Sequence, residues 1–265
     1  MLASRTRHPS PLAVVLALVL VLAIAPLGAD VHPGAAEVVT KMIEAHGGME
    51  AWESAPTVAF TEEFRPGEAT SGMPGRVVVQ QGSRRAYLDY GGAQVAWDGE
   101  KAWGVNWQVP TPPRFLALLN YYFLNLPWLT QDPGVNLGAP GTGTLPGDAT
   151  EYVTVRMTFD AGVGDTPDDY YLLFVHPETH RLAANEYVVT YRSILPAGVE
   201  SSQPHVLVYS DYTEVGGLVV PTGYTIYEDG AIYATAVFSD WSFSMPWDET
   251  WMEMPEGAVV DESEP

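Results

Sequence analysis

The chain has 265 residues, 46% of them hydrophobic and 17% charged, with 33 acidic against 12 basic side chains and a formal charge of -21. Its 8 Trp, 14 Tyr and 8 Phe supply the large apolar surface that a disordered acidic chain lacks, so a packed core is expected. Clustered Lys and Arg are too scarce for a nucleic-acid partner, Arg84–Arg85 being the longest run. The lack of cysteine excludes disulfides, thiolate metal sites, a cysteine nucleophile and a lipidated N-terminal cysteine.

Residues 1–29 read as an export signal. Arg5 and Arg7 give the positive start, Leu12 to Ala25 the apolar stretch, and Leu27-Gly28-Ala29 an imperfect small-residue site with cleavage expected after Ala29. The alternative is an uncleaved N-terminal anchor, since Leu12 to Ala29 is free of charge; Pro26 and Gly28 interrupt that run where a spanning helix would continue. Either way the rest of the chain, 30–265, is expected outside the cytoplasm, in the periplasm, as one domain. Without Arg5 and Arg7 the charge becomes -23, 10 basic against 33 acidic.

Ala35 to His46 follows as the clearest helix, with Ala35, Val38, Val39, Met42 and Ile43 on one stripe and Gly47-Gly48 as its stop. A short helical turn is expected at Met49 to Glu53. From Thr57 the period becomes two: Val58, Phe60 and Phe64 alternate with Ala59, Thr61 and Glu63, and Tyr152–Phe159 alternates in the same way. Further strands are expected at Arg76–Gln81, Arg84–Tyr90, Ala93–Trp97, Ala102–Trp107, Asp169–His176, Arg181–Tyr191, His205–Thr213, Gly223–Glu228 and Ala231–Phe238. Asp98-Gly99 and Asp229-Gly230 are strong hairpin signals, and Gly216-Gly217 marks another reversal. About eleven short strands in consecutive hairpins imply an antiparallel meander curling around a ligand or a helix. Gly138 to Gly147 reads as a surface loop, and residues 248–265 as an acidic C-terminal tail.

One segment breaks the β pattern. Pro113 to Leu129 suits a helix through Asn125, with Pro127 ending it, and no charge lies between Phe115 and Thr130. Apolar residues cover nearly every direction around its axis, so it must be enclosed by core or by a bound apolar partner.

Polar constellations offer less. His176 and His180 are spaced i, i+4, but Pro177 puts them on a turn without the shared helical face a metal requires, and no metal or cofactor is expected. His46 reads as a helix C-terminal residue interacting with the dipole, and His205 begins a strand. The acidic loop Asp160–Asp169 lacks the alternating ligand spacing of a calcium loop and reads as a solvated hairpin turn. Glu62, Asp89 and Glu186 are the strand-borne carboxylates that a glycan-acting enzyme could use, each with the plainer reading of a solvent-face residue. No nucleophile elbow or phosphate-cradling loop is present.

The helix ending in Ala45-His46-Gly47-Gly48 with Trp52 after it, the strand–turn–strand Val95 to Trp103, and the hairpin Tyr212 to Thr222 resemble the LolA/LolB-type superfamily of periplasmic lipoprotein carriers. The stretches Tyr122 to Pro127, Asp132 to Val135 and Gly162 to Tyr170 resemble a branch of exported bacterial proteins of unassigned function. The resemblance implies a mainly β fold: a curved antiparallel half-barrel with helices plugging its concave face, and a cavity that receives acyl chains. The reading is a non-enzymatic, monomeric carrier or sensor of a lipid or lipoprotein acyl chain, with a membrane protein as a further partner. Pro113–Leu129 would be its lid, Phe115, Leu119, Tyr122, Phe123 and Trp128 lining the cavity with Trp103 and Trp107 opposite. The alternatives are the glycan-acting enzyme and a protein-interaction or stress-sensing module on the same fold.

Overall fold

The structure is a computed structural model that describes residues 30–164, 166 and 168–265. The export signal and its cleavage site lie outside the described residues. Two helices come first, α1 (Pro33–Ala45) and α2 (Met49–Ser54). The His32 side chain caps α1 by accepting from the Gly34 amide, and Pro33 sits at the first turn, where an absent N–H costs nothing. Gly47 ends α1 at φ +103°, and a Cβ there would lie 2.1 Å from the Gly217 carbonyl oxygen, so conformation and space both demand glycine.

Fourteen antiparallel strands follow, interrupted once by helix α3 (Pro113–Leu129). Before the helix come β1 (Thr57–Pro66), β2 (Met73–Gln80), β3 (Ala86–Asp89), β4 (Gln94–Trp97) and β5 (Ala102–Val105). After it come β6 (Val135–Leu137), β7 (Gly141–Gly143), β8 (Tyr152–Phe159), β9 (Tyr171–Val175), β10 (Leu182–Tyr187), β11 (His205–Val215), β12 (Leu218–Glu228), β13 (Ala231–Ser242) and β14 (Val259–Val260). They form one sheet in the order β14-β5-β4-β3-β2-β1-β13-β12-β11-β10-β9-β8-β6, with β7 also on β8. The sheet does not close. Register shifts at Ala59/Thr61, Leu182/Ala184 and Ile226/Tyr227 are the bulges that sharpen its curl. Its inward side chains pack on α1, α2 and α3 in one continuous core.

The mainly β half-barrel read from the sequence is what the chain forms, with corrections. Three strands were not foreseen, β6, β7 and β14, because two or three residues cannot display a period of two. The glycine-rich loop 138–147 thereby contributes a strand. Strand β12 begins at Leu218 and runs through Pro221, which pairs only with Tyr212 of β11; the β13 ladder starts beyond it at Gly223, so no bond is lost to the missing N–H. The acidic tail is not a free end: it carries a 3-10 turn at Glu249–Met252 and then β14 on the outer edge of β5.

The largest correction concerns α3. The helix does not stop before Pro127 but continues through it to Leu129. Proline cannot donate to the carbonyl four residues back, which is Phe123. That carbonyl accepts instead from the Tyr209 hydroxyl of β11, so the sheet supplies the bond the proline removes. From Phe123 to Leu129 α3 is buried throughout, and Trp128 stacks on Trp52 of α2 with ring centroids 4.7 Å apart. Its N-terminal half keeps a partly exposed flank.

Candidate ligand-binding cleft

That flank borders a cleft of about 740 Å³. From α3 come Phe115, Leu118, Leu119 and Tyr122, one helical face spaced i, i+3, i+4 and i+7. Trp52, Trp97, Leu129, Val135, Phe159, Val163, Tyr171 and Tyr191 complete the apolar lining. An apolar pocket of this size with a few polar groups at its edge is the usual form of a small-molecule site.

Arg84, Asp132 and Asp169 of the lining are already engaged. Arg84 sits at φ +56° in the turn between β2 and β3 and lies over the rings of Tyr121 and Tyr122, 6.0 and 5.5 Å from their centroids. Its guanidinium donates to the Tyr122 hydroxyl at 3.1 Å and to the Asp132 carboxylate. Burial pushes the Asp132 carboxyl up, and Arg84 opposes that. Asp169 accepts from the Thr166 hydroxyl (2.6 Å) and from the amide and hydroxyl of Thr190 (2.8 and 2.7 Å). Burial raises its pKa, and these donors pull it back. Asp169 thus leaves the solvated-loop reading of 160–169: it ties the β8–β9 connection to the segment after β10.

Of the residues expected to line a cavity, Phe115, Leu119 and Tyr122 meet on the cleft wall. Phe123 and Trp128 face the core instead: Phe123 packs on Tyr187 at 4.7 Å, and Trp128 backs the wall through Trp52. The helix turns Trp128 to the side away from Phe115 and Leu119, whereas Phe123, four residues beyond Leu119, shares their side and is covered there by Tyr171 and Tyr187. Trp103 is buried within β5, and Trp107 packs on Tyr90 while its indole N–H donates to the Thr111 carbonyl at 2.7 Å. Neither lines the cleft, whereas Trp97 and Tyr191 do.

The strand-borne carboxylates separate. Glu62 is buried to 3% exposure, away from the cleft, where it accepts from Tyr90 and, at 2.6 Å, from the Asn120 amide of α3; Asn120 in turn accepts from the Tyr224 hydroxyl at 2.7 Å. Burial pushes its carboxyl up and the two donors lower it. A solvent-face reading of Glu62 is therefore wrong, and the signal was available: period two puts residue 62 on the inward face with Phe60 and Phe64. Asp89 accepts from the Gly92 amide in its own turn, and Glu186 from the Tyr170 hydroxyl.

His46 is corrected too. It is 2% exposed, its Nδ1–H donates to the Val219 carbonyl at 2.7 Å, and its Nε2 accepts from the Leu182 amide at 3.1 Å. Burial lowers its pKa to about 4, so it is a neutral strut joining α1 to β10 and β12, and no cation meets the helix dipole. His176 stays on its turn, accepting from the amides of Glu178 and Thr179.

No family model matches the sequence, and no curated protein matches it significantly. Among solved structures the chain is similar to a LolA superfamily protein from Nitrosomonas europaea, 14% identical over 83% of this chain and 98% of that one, with a TM-score of 0.49. It is similar to an outer membrane lipoprotein-sorting protein domain from Vibrio parahaemolyticus, 8% identical over 82% and 95%, TM-score 0.49. A DUF1329 family protein from Desulfovibrio piger is 9% identical over 82% and 96%, again with a TM-score of 0.49.

Proposed function

We propose that this chain is an exported, non-enzymatic binding protein that holds one apolar chain, a lipid or lipoprotein acyl group, in the cleft beside α3, as carrier or sensor. The observation that carries the reading is the cleft itself, about 740 Å³ and walled by the i, i+3, i+4, i+7 face of a helix that has no charge after Arg114. A free aromatic and aliphatic wall gains about 0.8 kcal/mol for each methylene it covers, and a ligand of that kind needs no catalytic group to be held. The carboxylates of the cleft interior, Asp132 and Asp169, are both occupied by donors, which favours holding over chemistry. The lid idea contracts accordingly. The C-terminal half of α3 is anchored by Tyr209 and Trp128, with Asn120 pinned at its middle, and serves as a fixed plug, while the face from Phe115 to Tyr122 forms the wall an acyl chain would lie against.

The periplasmic location rests on the reading of residues 1–29 as an export signal. There the high negative charge keeps a monomeric carrier soluble and apart from its neighbours. A membrane protein that delivers or takes up the ligand completes the proposal. To test it, residues 30–265 are purified, extracted for co-purifying lipid by mass spectrometry, and titrated with a fluorescent fatty acid. Bound lipid with saturable displacement is expected. Absence of both would overturn the reading.

A further inference from the structure

The C-terminal segment crosses from one margin of the cleft to the other. At one side β14 adds to the edge of β5, the Asp261 amide donates to the Ala102 carbonyl, and the Asp261 carboxylate accepts from the Arg114 amide at 2.7 Å, capping the first turn of α3. At the other side Ser263 and Glu264 meet the β10–β11 connection. The Tyr191 hydroxyl lies 2.6 Å from the Ser263 hydroxyl, the Ser193 hydroxyl donates to the Glu264 carbonyl at 3.0 Å and accepts from the Glu264 amide at 2.7 Å, and the Ser193 amide donates to the Glu264 carbonyl at 3.2 Å. Beneath this strap the rings of Phe115 and Tyr191, both on the cleft wall, stand 5.2 Å apart.

We propose that the segment 259–264 is a latch: it holds the β10–β11 connection, through the buried Tyr191 near its start, against the start of α3, and its release widens that end of the cleft to admit or discharge the ligand. The inference rests on reading the cleft as a binding site. Three features make the latch the part that yields. Strand β14 has two residues, and its Val259 and Val260 are exposed, so little apolar burial holds it. The bonds at Ser193 and Glu264 are exposed to water, which competes for them. The connection it restrains, 188–204, is mostly exposed, and Thr190 on Asp169 ties its start to the cleft. The buried half of α3, by contrast, has no freedom to move aside.

The chain has no cysteine, so one introduced thiol reports on the cleft without a ligand. Leu119→Cys is placed in the otherwise unaltered chain and in a Ser193→Ala/Ser263→Ala chain, which loses three of the four latch bonds and keeps the Asp261 cap. Labelling by a bulky maleimide is expected to be at least tenfold faster in the unlatched chain, with unchanged circular dichroism. Equal labelling rates would overturn the latch whatever the lipid experiments show. Faster labelling with no lipid binding in either chain would leave the latch standing and sink the carrier reading. A Ser193→Cys/Glu264→Cys pair, which replaces a backbone-bonded contact of the kind a disulfide can span, supplies the converse. Oxidised, it is expected to slow uptake of a fluorescent fatty acid at least tenfold, with recovery on reduction; equal uptake in both states would also overturn the proposal.

Discussion

The bond between Tyr209 and the Phe123 carbonyl holds the plug half of α3 in place, and its loss can be worked out in advance. Tyr209→Phe leaves two buried groups unpaired: the Phe123 carbonyl, which Pro127 cannot serve, and the Asn185 amide, which donates to the Tyr209 oxygen at 2.9 Å. A buried unsatisfied group costs about 1–3 kcal/mol, so the substitution should cost about 2–6 kcal/mol. Pro127→Ala restores an N–H in register with Phe123 and should recover about 1–2 kcal/mol of that loss, while having a smaller effect in the unaltered chain. Urea unfolding of the four chains of this cycle measures the coupling directly, and the entropy that alanine returns to the unfolded chain cancels in it. If Tyr209→Phe cost less than about 0.5 kcal/mol, or Pro127→Ala recovered nothing in its background, the account of how the helix tolerates its proline would be refuted.

Other outcomes follow from the same structure. His46, with its pKa lowered to about 4 against 6.5 in the unfolded chain, is neutral in the fold, so between those pH values the unfolded state binds the extra proton and stability falls with acidification; the full difference is about 3 kcal/mol. An NMR titration should show its ring unprotonated at pH 5.5, and protonation near pH 6.5 in the folded chain would contradict the strut. Glu62 acts in the opposite sense: burial raises its carboxyl above the usual 4.5, so its contribution to stability is present at low pH and lost as pH rises through the folded value. Glu62→Ala should cost about 2–4 kcal/mol by leaving the Asn120 amide and the Tyr90 hydroxyl unpaired, read as a lower urea midpoint; no change would mean that water satisfies both. Leu119→Glu, on the partly exposed flank, should leave the unfolding midpoint within about 0.5 kcal/mol and weaken fatty-acid binding by about tenfold or more, since it puts a charge where a methylene would lie. Unaltered affinity would move the site elsewhere.

What the sequence made legible was whatever repeats. Strands long enough to alternate, the α1 stripe and the Asp-Gly hairpins were readable because each signal is local, and the charge-free run at 115–130 identified the enclosed helix. What escaped were facts settled by another part of the chain. Pro127 looked terminal because the hydroxyl that replaces its bond lies on β11. Trp128 read as a cavity residue because a helix apolar all round does not say which side meets a cleft and which meets the core, and Phe123 because the tyrosines that cover it, Tyr171 and Tyr187, lie on later strands. His46 looked like a surface cap because β10 and β12, which bury it, come more than a hundred residues later. Glu62 was the exception, since its position in an alternating strand already placed it inward. The latch could not be foreseen at all, because a two-residue strand and an acidic tail carry no period.

The most direct test of the central claim is the dissociation constant of residues 30–265 for saturated fatty acids of increasing length. A chain lying along the wall formed by Phe115, Leu119 and Tyr122 predicts about 0.8 kcal/mol, close to fourfold in affinity, for each added methylene until the cleft is full. Affinity that does not change with chain length, or no binding at any length, would contradict it.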